Sequence, residues 1–94
     1  MATTVVHIRR EPYDVYIGRA MPRVGLKASP FANPFVIGRD GIRAEVLAKY
    51  RAYVIARPDL MAALPELAGK RLGCWCHPLP CHGDVLVELL EARG

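Results

Sequence analysis

No stretch of this chain approaches the roughly 18 consecutive apolar residues that a membrane-spanning helix needs, which argues against a transmembrane segment. The opening MATTVVHIRR lacks a basic segment ahead of a long apolar run, so a secretory signal is not expected. The expected location is therefore the cytoplasm, where thiols stay reduced. Also missing are the GxGxxG and GxxxxGK[ST] loops that cradle phosphates, the HExxH helix of zinc proteases and any Ser-His-Asp order. The standard nucleotide fingerprints and the familiar hydrolase signatures are thus absent. There is no internal repeat and no low-complexity tract. Cysteine is scarce: Cys74, Cys76 and Cys81 make an odd number crowded into one stretch, which does not form a disulfide framework.

What is present fits one small globular domain over residues 1–94. Apolar residues make up 52% and charged residues 23%, enough for a modest core. The formal charge of +4 is too small to indicate nucleic acid by itself and suits an anionic small molecule equally well.

The β-branched run at 3–10 reads as a strand, and Pro12 marks a turn. A second strand is expected at 14–19, and the two strands are placed to form a hairpin. Residues 20–41 show no sustained period. A loop of that length inside a small domain is usually functional, and Phe31, Phe35, Val36 and Ile37 argue that it is ordered. With Asp40 as N-cap, Ile42, Val46, Leu47, Tyr50, Val54 and Ile55 form a helical stripe ending at Arg57-Pro58. Residues 58–69 read as one helix or two short ones, broken at Pro65. A short central strand at 70–76 and a last helix at 84–94, capped by Asp84, complete the order β-β-α-α-β-α. The expected fold is α/β: a small three-stranded mixed sheet, strands two and three parallel, flanked by three or four helices.

In open α/β sheets ligands bind at the carboxyl ends of parallel strands. Gly18-Arg19 and Cys74-Trp75-Cys76 occupy those ends here. Cys81 and His82 lie just before the last helix, whose N-terminal dipole and free N–H groups favour a thiolate or a bound anion. Trp75, opposite Cys74 and Cys76, is expected in the core on the far side of the sheet, and His77 in a solvated loop. One reading is a site for a nucleotide- or nucleoside-like anion. Cys81 would be the activated thiolate, His82 the proton donor or acceptor and Arg19 the phosphate clamp, with Gly18, Asn33, Gly38, Asp40 and Asp84 as further binding positions. The other reading is a zinc-stabilised, non-enzymatic module that binds a protein or nucleic acid, with Cys74, Cys76, Cys81 and His82 as ligands. That site is chemically complete but awkward. Sulfurs two residues apart on a strand lie roughly 6–7 Å apart, against about 3.8 Å for two thiolates on one tetrahedral zinc.

The segments VYIGR, SPFANPFVIG, DGIRAEVLAKYRAYV and LAGKRLGCWCHPLPCHGDVLVELL together resemble the domain of unknown function 4326 family, small bacterial and phage proteins. The resemblance runs from about His7 to Leu90. Its most specific part is the C-W-C-x-P-x-x-C-H-G-D run from Cys74 to Asp84. The family motif also falls on Gly18, Arg19, Asn33, Pro34, Phe35, Gly38, Asp40, Gly41 and Tyr50. This chain has Phe31-Ala32 where members often have Trp-Gly. It has His77 where lysine is common, which weakens His77 as a metal ligand. The resemblance implies no established reaction.

Overall fold

The structure is a computed structural model, and it describes residues 2–93. Met1 and Gly94, the ends of the expected domain and of its last helix, lie outside the described residues. Three short strands, β1 (Thr4–His7), β2 (Val15–Tyr16) and β3 (Arg71–Cys74), form one sheet in the order β1-β3-β2. The α-helices are α1 (Arg43–Ile55), α2 (Pro58–Ala63) and α3 (His82–Arg93), with 3-10 turns at Pro22–Val24 and Leu64–Leu67. The α/β class and the break near Pro65 are as expected. No helix among the described residues is long and apolar enough to cross a membrane.

The sheet is parallel throughout, not mixed, and β1 and β2 do not form a hairpin. Both pair with β3: Val5 and Val15 flank Leu72, and Val6 and Tyr16 flank Gly73. The cause lies in residues 8–14. A tight turn, in which the N–H groups of Arg10 and Glu11 donate to the His7 carbonyl, ends β1. The chain then crosses the face of β3 before starting β2. Gly73 makes the crossing feasible: a Cβ there would lie 2.8 Å from Ile8 Cγ2 and 2.8 Å from Tyr13 Cγ. Asp14 sets the register of β2. Its carboxylate takes the Arg71 backbone N–H and pairs with the Arg71 guanidinium, while its own N–H donates to the Arg71 carbonyl.

The opposite face carries the core. Leu72 of β3, Ile17 just past β2 and Val5 of β1 pack in one core with Tyr50 and Val54 of α1, and Val46 of α1 is also buried. The core is closed by Leu60 and Leu64 and by Val85, Leu86 and Leu89 of α3. Val46, Tyr50 and Val54 recur every four residues, the spacing of one helix face. Ile42 and Ile55, which the stripe also included, are 67% and 50% exposed. They sit at the two ends of α1, where the helix overhangs its partners.

Candidate functional site

The segment after β2 is ordered by its own polar groups. Arg19 donates to the carbonyls of Asn33 (3.0 Å) and Phe35 (2.8 Å). Asn33 Oδ1 accepts the Phe35 N–H, and Asp40 Oδ2 accepts the Val36 N–H (2.7 Å) and pairs with Arg39. Phe31 is buried, and its carbonyl accepts the Tyr50 hydroxyl at 2.6 Å. This contact ties the loop to α1. Burial beside the Tyr53 ring pushes the Tyr50 phenol well above its ordinary range, so Tyr50 acts as a donor. The loop is thus ordered, as its apolar content indicated.

Two expected caps are relocated. Asp40 does not cap α1. Ile42 precedes the helix, and its N–H is taken by Glu45 Oε1 one turn on. Asp40 instead closes the preceding loop. Helix α3 starts at His82, two residues earlier than expected, and Asp84 is its third residue. Asp84 Oδ2 reaches back to the Cys81 N–H at 2.9 Å, half of a capping box. The first turn of α3 lies very near the sheet. A Cβ on Gly83 would come within 2.9 Å of Ile17 Cδ1 and 3.0 Å of Val5 Cγ2.

Between this loop, α1 and the carboxyl ends of β2 and β3 lies a mainly apolar cleft of about 380 Å³. Of the expected binding positions, Gly18, Arg19 and Asn33 line it, as do Cys76, Cys81 and His82. Gly38, Asp40 and Asp84 do not line it; they shape the loop and the start of α3. The sequence reading missed Tyr16, Met21, Arg43 and Val46, which also line the cleft. Arg43 and Val46 lie in the first turns of α1. The signal that could have found them is their place directly after the long loop, where a helix start must face the same sheet edge. Trp75 is on the face opposite Cys74, as expected, but it is not core. It is half-buried on the rim, its Nε1–H donates to Tyr16 Oη at 2.9 Å, and its ring meets His7 edge-on. His77, expected in solvent, is half-buried.

His82 is the best-placed polar group of the cleft. Its Nε2 lies 2.6 Å from the Ile17 carbonyl, which can only accept, so Nε2 carries the proton. Its ring stands edge-on to Tyr50, 5.2 Å between centroids. Burial, and to a smaller degree the Arg19 charge, hold its pKa below the ordinary 6.5, although the Ile17 bond opposes this. Nδ1 therefore offers a lone pair near neutral pH. No buried side-chain nitrogen or oxygen among the described residues lacks a partner, so Nδ1, which makes no hydrogen bond, keeps solvent access.

Cys74 and Cys81 are both buried, and their sulfurs are 3.3 Å apart. The two thiols are hydrogen-bonded to each other, and this contact lowers the Cys74 pKa to about 6. The same contact and burial push Cys81 strongly up. Cys81, expected as the activated thiolate, is buried with its sulfur on Cys74, and the downward shift falls on Cys74. The zinc ligand set is also not assembled. His82 is engaged with Ile17, and among the described residues no three His, Cys, Asp or Glu side chains are grouped to hold a metal.

The thiol pair makes stability depend on pH. The folded pKa of Cys74 lies below its ordinary 9.0. Its contribution is therefore complete above pH 9 and lost as pH falls toward 6. Cys81 has the opposite sign: its contribution holds below pH 9 and declines above it. His82 loses stability as pH falls below 6.5. Denaturant titrations under reducing conditions should show stability rising from about pH 6 to 9 and falling beyond. In Cys81→Ala the rise should shrink. A flat wild-type profile would contradict the thiol pairing.

Fold and site together define a small parallel α/β domain with a ligand-sized cleft at its strand carboxyl ends. The profile of the family Domain of unknown function (DUF4326) matches residues 4–92, and the chain belongs to that family. A protein of Acanthamoeba polyphaga mimivirus, described as uncharacterized, is 41% identical over 88 residues, covering 83% of this chain and 67% of that protein. An uncharacterized 12.4 kDa protein in the nrdA-td intergenic region of Enterobacteria phage T4 is 52% identical over 30 residues, 32% of this chain and 28% of that protein. No solved structure matches the chain significantly.

Proposed function

We propose that this cytoplasmic domain binds a nucleoside-like ligand bearing an anionic group, and that the cleft at the carboxyl ends of β2 and β3 is its site. The observation that carries the reading is the cleft's composition. An apolar and aromatic lining with few convergent polar groups is the usual make-up of a small-molecule site. Here those groups are Arg19, Arg43 and His82. Phe35, Trp75 and Val46 suit the faces of a base. The N–H groups of Arg19 and Arg43 not engaged with loop carbonyls suit a phosphate or carboxylate. His82 Nδ1 would accept a hydrogen bond from a ligand hydroxyl or amine, or take its proton. Any processing of the ligand would therefore run through His82 rather than Cys81, whose thiol is turned onto Cys74.

Calorimetric titration and thermal unfolding with nucleosides, nucleoside monophosphates, sugar phosphates and inorganic phosphate test this. A nucleoside monophosphate at 100 times its Kd should stabilise the fold by about 2.7 kcal/mol, and inorganic phosphate should give much less. His82→Gln and Arg43→Ala should each weaken binding by roughly tenfold, the loss of one charged or polar contact. Absence of binding by every nucleoside and nucleotide at millimolar concentration would sink the proposal.

A further inference from the structure

Trp75, the chain's single tryptophan, separates two cavities. On one side it lines the main cleft. On the other it joins Ile8, Arg9, Tyr13, Val24 and Leu26 around a shallower groove of about 220 Å³. The ring is held in place by the Tyr16 hydroxyl and by the edge contact with His7, and the Arg9 guanidinium lies 5.2 Å from its centroid. One cation lines the groove, and three more adjoin its lining residues in the chain. Arg9 lines it, Arg10 follows Arg9, Arg23 precedes Val24, and Lys27 follows Leu26. All four are exposed, and none has a carboxylate partner among the described residues. Of the two carboxylates on the same crossover, Asp14 is engaged by Arg71 and Glu11 lies close enough to Arg71 to act on its charge. A rigid aromatic ring flanked by unpaired cations, joining two cavities, matches how proteins hold single-stranded nucleic acid. Bases stack on aromatic faces while the backbone follows positive charge.

Resting on the nucleoside reading of the cleft, we infer that its ligand is one unit of a single-stranded nucleic acid. One base enters the cleft, the strand passes Trp75, and the neighbouring phosphates meet Arg9, Arg10, Arg23 and Lys27 in the second groove. The charge is complementary to a polyphosphate backbone, and the groove is too open and too cationic for an apolar peptide.

Trp75 fluorescence provides the readout. The probes are a single-stranded oligonucleotide of about ten residues, as DNA and as RNA, the duplex of the same sequence, a nucleoside monophosphate, and heparin as a sequence-free polyanion. The single strand should quench Trp75 and bind at least tenfold more tightly than the monophosphate or the duplex. Its affinity should fall with salt at a logarithmic slope of about −3, from about −0.7 for each of four phosphates. Arg23→Glu with Lys27→Glu should abolish the oligonucleotide's advantage and leave monophosphate binding unchanged, and Arg10→Glu should act in the same direction. A preference for DNA or for RNA supports the inference and identifies the strand. If oligonucleotide and monophosphate bind alike, or the duplex or heparin binds as well as the single strand, the inference is overturned while the cleft reading stands. If the oligonucleotide binds without competition from monophosphate and without effect from His82→Gln, the inference is overturned; if no nucleoside or monophosphate binds either, the cleft reading falls with it.

Discussion

Tyr50→Ala should be the most damaging single substitution behind the wall of the site, lowering stability by about 3–5 kcal/mol. Against a total of about 5–15 kcal/mol for a domain of this size, that is a large share. Tyr50 is fully buried on α1, packs beside Tyr53 and His82, and donates its hydroxyl to the Phe31 carbonyl. Tyr50→Phe separates the two contributions. It keeps the ring and leaves the buried Phe31 carbonyl without its donor, a loss of about 1–3 kcal/mol. Phe31 anchors the middle of the loop that forms one wall of the cleft, so Tyr50→Phe should also weaken ligand binding although Tyr50 does not line the cavity. Denaturant unfolding measures the first effect and titration the second. Equal stability of Tyr50→Phe and wild type would show that the loop is held without this bond.

Gly73→Ala should cost about 1–3 kcal/mol, with Gly73→Val worse. The cause is not backbone strain but the crossover. The added methyl would meet Ile8 Cγ2 and Tyr13 Cγ at 2.8 Å, closer than packed carbons tolerate. Ile8 and Tyr13 belong to the segment that brings β2 to the far side of β3, so pushing them away would open the sheet edge from which the cleft loop departs. Ile8→Ala should recover part of the loss in the double variant, because the two sites share one clash. Strict additivity of Gly73→Ala and Ile8→Ala in unfolding measurements would contradict the packing described here.

Helices were largely legible because their signals are local. The Val46, Tyr50 and Val54 spacing, Pro58 at a helix start and Pro65 at a break all act within a few residues. The placement of the two loops was legible as well, since parallel strands ending at Tyr16 and Cys74 put their following loops on one edge. Caps were less legible. Asp40 and Asp84 are good capping residues by type, but each carboxylate takes a backbone N–H that precedes it in the chain rather than one that follows. The local sequence contains more than one donor within reach, and only the path of the loop selects among them.

By itself the sequence determined an α/β chain with three strands, an ordered loop after the second, and a Cys/His cluster at the mouth of the sheet. Alternation, helical spacing and turn residues act over short distances, and they suffice for that. The tertiary structure alone decided that β1 and β2 lie on opposite sides of β3, because that depends on Gly73 making room for Ile8 and Tyr13, 60 or more positions away along the chain, and not on the local pattern of 3–19 alone. It also decided the chemistry of the cluster. Packing brings Cys81 onto Cys74 and His82 onto the Ile17 carbonyl, so the two thiols are paired and the imidazole nitrogen left free is settled.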